Sequence, residues 1–278
     1  MILSAIKNIF DIDNVGNRWG VRILYLVTAI LNAAVHFNPL ADTDFSLLES
    51  WIYSYNSMTE YDPEVYNALM TSFPLTSGNI IYIITLLLSI IILMGSAYIY
   101  AAVFVREYRK EKIANIQDGD QEVLNYAVEH IPDKPIELKK LIGRLLLIML
   151  FTTVAGLPVV LISAEFLFLA FIGLPFIFTA PVAYLSGDAG FFKSLPYSAR
   201  LSKPYYFVNM RSIALMGIVA VILYFALPYL ANLSLTAYYV VDASTKTWLW
   251  LSIARLASLS YCTMKDLPIK GSRRPFAI

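Results

Sequence analysis

Runs of about twenty apolar residues recur along the chain, separated by shorter polar stretches. A helix of that length crosses a bilayer core of about 30 Å. Six segments fit: 19–37, 79–105, 141–162, 166–185, 207–230 and 248–264. The third and fourth form one stretch too long for a single crossing, so a turn is placed at Ser163, Ala164 and Glu165. The sixth is the least apolar, because Arg255 lies inside it among several serines.

Composition agrees with this pattern. Of 278 residues, 58% are hydrophobic and 15% charged, against about 25% charged in soluble domains. The expected fold class is therefore an all-α integral membrane protein of six transmembrane helices with interfacial amphipathic helices. The net charge of +1 excludes a nucleic-acid partner as the default reading. Basic residues beside spans stay cytoplasmic, and 19 of the 21 Lys and Arg fall in four segments that such a topology places on one side. These are the N-terminal stretch, the loops 106–140 and 186–206 with the helix ends flanking them, and the C-terminal tail. Lys246 alone falls opposite, and Arg255 within a span. Both termini are thus expected in the cytoplasm. The first twenty residues lack the order of a signal peptide and are read as retained.

The outer loop, 38–78, contains no Lys or Arg but six carboxylates, Asp42, Asp44, Glu49, Glu60, Asp62 and Glu64, among many aromatics. Phe45, Leu48, Ile52 and Tyr55 recur at helical spacing, and Pro63 with Glu64 predicts a second short helix. Two readings stand: a cap at headgroup level, or a docking face for a ligand or partner. In the cytoplasmic loop, Asp120 is positioned to cap an amphipathic helix ended by Pro132 and Pro135. Around Asp188–Pro204, Lys193, Arg200 and Lys203 share a helical face, with Ser194 as its cap and Pro196 in the first turn. That segment reads either as an interfacial helix on anionic lipid or as a coupling element for a cytoplasmic partner. The first ten residues predict another short interfacial helix.

The stretch 178–225 resembles poorly characterised bacterial six-span proteins and the membrane domain attached to some glycerophosphodiester phosphodiesterases. The likeness rests on a Pro-containing span, an interfacial helix and a following long span, and falls on Pro181, Ser198, Leu201 and Lys203. It implies a six-helix membrane fold in a bacterial cell membrane. It implies no reaction, because the soluble phosphodiesterase domain has no counterpart here.

Intramembrane charge is the first place to seek function. Arg255 lies about 12 Å inside the sixth span, on a stripe with Ser252, Ser258 and Cys262. It serves either as a clamp on backbone carbonyls or on a polar neighbour such as Asn32 or Glu165, or as a contact for an anion or lipid headgroup. Ser252, Glu165 and Arg211 complete this candidate set, with Arg211 near a span end where it snorkels. The paired Gly156–Pro158 and Gly173–Pro175 echo predicts kinks, which serve packing or mark a transporter site. One cysteine and two histidines leave no expected metal or cofactor. No catalytic motif is present, so no enzyme is expected. The function reading is a non-enzymatic component of an envelope membrane assembly or lipid-interacting bundle. The alternative is a transport protein, such as a permease subunit served by a separate ATPase. Expected partners are membrane lipid and other membrane subunits.

Overall fold

The structure is a computed structural model, and it describes residues 7–57, 63–71, 73–114, 138–160 and 164–265. Every regular element among them is a helix. In chain order they are α1 Arg18–His36, α2 Ser46–Asn56, α3 Pro63–Thr71, α4 Ser77–Ala114, α5 Leu138–Val160, α6 Ala164–Ile177, α7 Ala180–Leu185, α8 Phe191–Ser202, α9 Tyr206–Ala226 and α10 Leu235–Lys265. Short 3-10 turns join α8 to α9 and α9 to α10. Three helical runs, Arg18–His36, Ser77–Lys110 and Phe191–Asn232, are long and apolar enough to cross a membrane.

The helix α10 is the axis of the molecule, and it packs along α1 and α4. Small side chains permit this approach: Ala97 and Ala101 on α4 meet the buried Ala254 and Ala257 on α10 in one core. Where α4 meets α5, a side chain at Gly95 would bring its Cβ within 3.0 Å of Met149 Cε. The outside is apolar. Trp19, Ile23, Leu26 and Ile30 stand exposed on α1, Leu146 and Leu150 on α5, and Ile218, Val221, Ile222 and Phe225 on α9. The interior instead holds Thr28, Asn32, Ser89, Thr179, Ser198, Asn209, Thr247, Ser258 and Arg255. Polar groups inside and large apolar side chains outside is the arrangement that lipid, as solvent, favours.

Several expectations require correction. The sixth helix does not begin near 248 but at Leu235. The expected span 166–185 is two helices, α6 and α7, separated at residues 178–179. Pro175 in the last turn of α6 lacks a backbone donor, and the carbonyls of Pro175 and Phe176, left open by the helix end, accept from Asn209 Nδ2 (3.5 Å) and Ser198 Oγ (2.8 Å). Ala164 and Glu165, expected in a turn at 163–165, belong to α6 instead, and Ser163 lies outside the described residues. The amphipathic helix expected at Asp120–Pro132 lies outside the described residues.

Helix α8 also differs from expectation. It starts at Phe191 with Gly190 as its cap, so Ser194 is no cap and Pro196 is interior. Ser194 Oγ donates to Phe191 O (2.7 Å), and its buried face is the serine row Ser194, Ser198 and Ser202. Phe192 and Leu195 are exposed on the same helix. Of the first ten residues, 7–10 are described, and they are held from within: Ile9 is buried against Met216 and Leu256, and Phe10 stacks on Trp248 at 4.8 Å.

Candidate functional site: two buried charge nodes

Arg255 is 2% exposed. Its guanidinium spreads four hydrogen bonds: Nε to Asn8 O (2.6 Å), one terminal nitrogen to Asn14 O (2.9 Å) and to Tyr100 Oη (3.3 Å), and the other to Asn8 Oδ1 (3.0 Å). The plane lies 5.1 Å from the Phe104 ring centroid, a cation–π contact that further offsets desolvation. Tyr100 Oη in turn donates to Ile12 O (3.0 Å). Residues 8–14 thus form a strap held by α10 and α4. Helix α1 follows directly, its first turn closed by Asn17 Oδ1 accepting from the Gly20 N–H (3.0 Å). Backbone carbonyls are suitable partners because they neutralise donors without demanding a second buried charge.

The other proposed members do not gather round Arg255. Asn32 accepts from Ser89 Oγ and donates to Ala243 O (3.4 Å). Ser252 shares α10 with Arg255, yet its fully buried hydroxyl has no hydrogen-bond partner among the described residues. Arg211 is exposed on α9. The Glu165 side chain lies outside the described residues. Lys193, Arg200 and Lys203 are all exposed along α8 and its end.

A second node went unforeseen. Asp188, in the turn between α7 and α8, accepts from Arg109 (2.7 Å), Tyr261 Oη (2.5 Å) and Ser186 Oγ (2.8 Å) on one oxygen and from Lys265 Nζ (2.6 Å) on the other. Burial alone would raise this carboxyl. The Arg109 charge and the bonds from Lys265, Tyr261 and Arg109 reverse that effect and hold it at about 2. The turn reaches this position through Gly187 at φ 88°, a conformation that a side chain disfavours. Asp188 therefore joins the ends of α4 and α10 to the α7–α8 turn. In the sequence Arg109 and Lys265 were counted only among the basic residues that set the orientation, which concealed the pairing.

At the opposite end, Asp242 is buried and holds Lys246 Nζ at 2.6 Å, with His36 Nε2 at 3.8 Å. His36 stacks flat on Tyr239 at 4.8 Å. Beyond this end, Asn79 on α4 anchors the 38–78 loop. Its Nδ2 donates to Asp42 O (3.1 Å) and Asp44 O (2.9 Å), and its Oδ1 accepts from Thr76 N and Oγ1. Among the described residues, no group of three His, Cys, Asp or Glu comes together to hold a metal.

These features define a helical protein with three helical runs long and apolar enough to cross a membrane and a polar, internally bonded core. Comparison with protein-family models, curated proteins and solved structures finds no match to this chain.

Proposed function

We propose that the chain is a non-enzymatic six-span protein of a bacterial cell membrane, with both termini cytoplasmic, serving as a helical component of an envelope assembly. The observation that carries this reading is how the buried charges are used. Arg255 is taken up by the chain's own carbonyls, and Asp188 by its own cations and hydroxyls. Charges spent in this way hold helices together rather than address a substrate, while the apolar outer faces of α1, α5 and α9 are offered to lipid or neighbouring helices. Purification from native membranes in mild detergent, with quantitative mass spectrometry, tests this. The reading expects stoichiometric recovery of other integral membrane proteins, and recovery of the chain by itself would contradict it.

One observation favours a transport subunit as the second reading. Lys193, Arg200 and Lys203 form an exposed basic edge on α8, beside a buried serine row that fixes the helix to the bundle. Such a helix is suited to receive motion from a cytoplasmic ATPase. Stoichiometric co-purification of an ATPase, lost when the three residues are changed to Gln, would replace the first reading with this one.

A further inference from the structure

The α2–α3 hairpin carries features that the bundle itself does not use. Not one of the eleven residues of α2 is buried. Leu47, Ile52 and Tyr53 stand out from it, Tyr53 at 76% exposure, and Phe73, which meets Trp51, is exposed as well. A free-standing apolar surface on a short helix would ordinarily be costly to keep in order, yet this one is held. Trp51 stacks on Tyr55 (5.6 Å) and meets Phe73 edge-on (5.1 Å), and Phe45 leans on Tyr82 of α4 (5.9 Å). The chain entering α2 is fixed by Asn79 and by the Asp42 N–H donating to Gly78 O (3.1 Å). Asp42 and Asp44 then each accept a backbone N–H two residues on, at 2.9 Å. The first Ser46 donor thereby holds the Asp44 carboxyl below its usual range.

Charge selects the occupant. Residues 38–78 contain six carboxylates and no Lys or Arg. Helices that settle on a bilayer surface bring Lys and Arg to the anionic headgroups, and this segment presents the opposite sign. The cation nearest in the topology, Lys246, is already held by Asp242. We infer that the α2–α3 hairpin is a docking surface for a cationic polypeptide segment of a partner, one in which Lys or Arg alternate with aromatic or apolar residues. The exposed aromatics take the apolar side chains and the basic heads, by contact area and cation–π attraction, while the carboxylates steer the approach. Placing this face outside the cell rests on the membrane topology proposed above, but the face itself does not.

The test uses the full chain in phosphatidylcholine nanodiscs and a fluorescent peptide amide of three Arg-Trp repeats, with a three-repeat Glu-Trp peptide and empty nanodiscs as controls. The Arg-Trp peptide is expected to bind the loaded discs at least about tenfold more tightly than empty ones, and to weaken several-fold between about 50 and about 200 mM salt. The double variant Glu49→Gln/Tyr53→Ala is expected to lose about tenfold in affinity, and Lys193→Gln none. Equal binding to empty discs, equal binding of the Glu-Trp peptide, or an unaffected double variant would overturn the inference. So would a blue-shifted environmental dye at Tyr53→Cys that the Arg-Trp peptide fails to displace, since that places the hairpin on lipid. Cysteine labelling from outside cells separately reports the topology, so failure of the docking surface and failure of the membrane reading are distinguishable.

Discussion

Replacing Arg255 with Ala removes four hydrogen bonds at one stroke: three to the N-terminal strap, at 2.6 and 3.0 Å to Asn8 and 2.9 Å to Asn14, and one of 3.3 Å to Tyr100 on α4. Hydrogen bonds from a charged group contribute about 1.5–3 kcal/mol each. They are not additive here, because Asn8 and Asn14 lie toward the surface and water replaces part of what is lost. Removing the cation also removes its desolvation cost. The net expectation is a loss of about 3–5 kcal/mol. On the scale of soluble chains of comparable length, that is a fall in Tm on the order of 10 °C. Tryptophan fluorescence on heating in detergent measures it, and limited proteolysis localises it: the strap should become cleavable near Asn14 below the global transition. Arg255→Lys is expected to fall between the two, since one ammonium lacks the span to reach both carbonyls. Ile9→Ala, which empties the contact with Met216 and Leu256, should also release the strap, at about 2–3 kcal/mol. An Arg255→Ala protein with unchanged melting and a protected strap would refute the clamp.

Asp188→Asn leaves Arg109 and Lys265 together without their carboxylate, and is expected to destabilise by about 3–5 kcal/mol in the same melting assay. The pH dependence has a fixed sign. The folded carboxyl titrates at about 2 against an ordinary 3.8, so its contribution, about 2–3 kcal/mol, is complete above pH 4 and lost as pH falls toward 2. The wild-type Tm should drop across that window more than that of Asp188→Asn. Gly187→Ala forces a side chain onto φ 88° and should cost about 1 kcal/mol or somewhat more, with Tm as the readout. Asn79→Ala removes the four side-chain bonds that pin the outer loop, and hydrogen exchange in α2 should accelerate at least tenfold while α10 stays protected.

The helices with apolar faces were legible because their side-chain periodicity carries the information. Phe45, Leu48, Ile52 and Tyr55 marked α2, and the proline at 63 opens α3. The first half of α10 was not legible. Residues 235–247 fell between the expected spans 207–230 and 248–264, and the helix they form is tied to α1 where Asn32 and Tyr25 bond the carbonyls of Ala243 and Ser244. Arg255 was singled out by its charge, but its partners were invisible, since a backbone carbonyl has no sequence signature. Asp188 was hidden for a related reason: nothing in the spacing of Arg109, Asp188 and Lys265 announces that three distant chain segments meet. The serine row on α8 was not legible: Ser194 was read as a helix cap, whereas it lies with Ser198 and Ser202 on the buried face. Beneath an exterior of large apolar side chains, the Ser198 hydroxyl faces inward and donates to the end of α6.

The central claim is that this is a bundle set across a membrane with both ends on one side. Cysteine labelling in intact cells tests it most directly, and the native Cys262 is fully buried and gives little background. With a membrane-impermeant maleimide, Ser57→Cys should label from outside, while Lys193→Cys should label only after the cells are opened. Labelling of Lys193→Cys in intact cells, with Ser57→Cys protected, would invert the topology. Labelling of both would contradict the spanning arrangement itself.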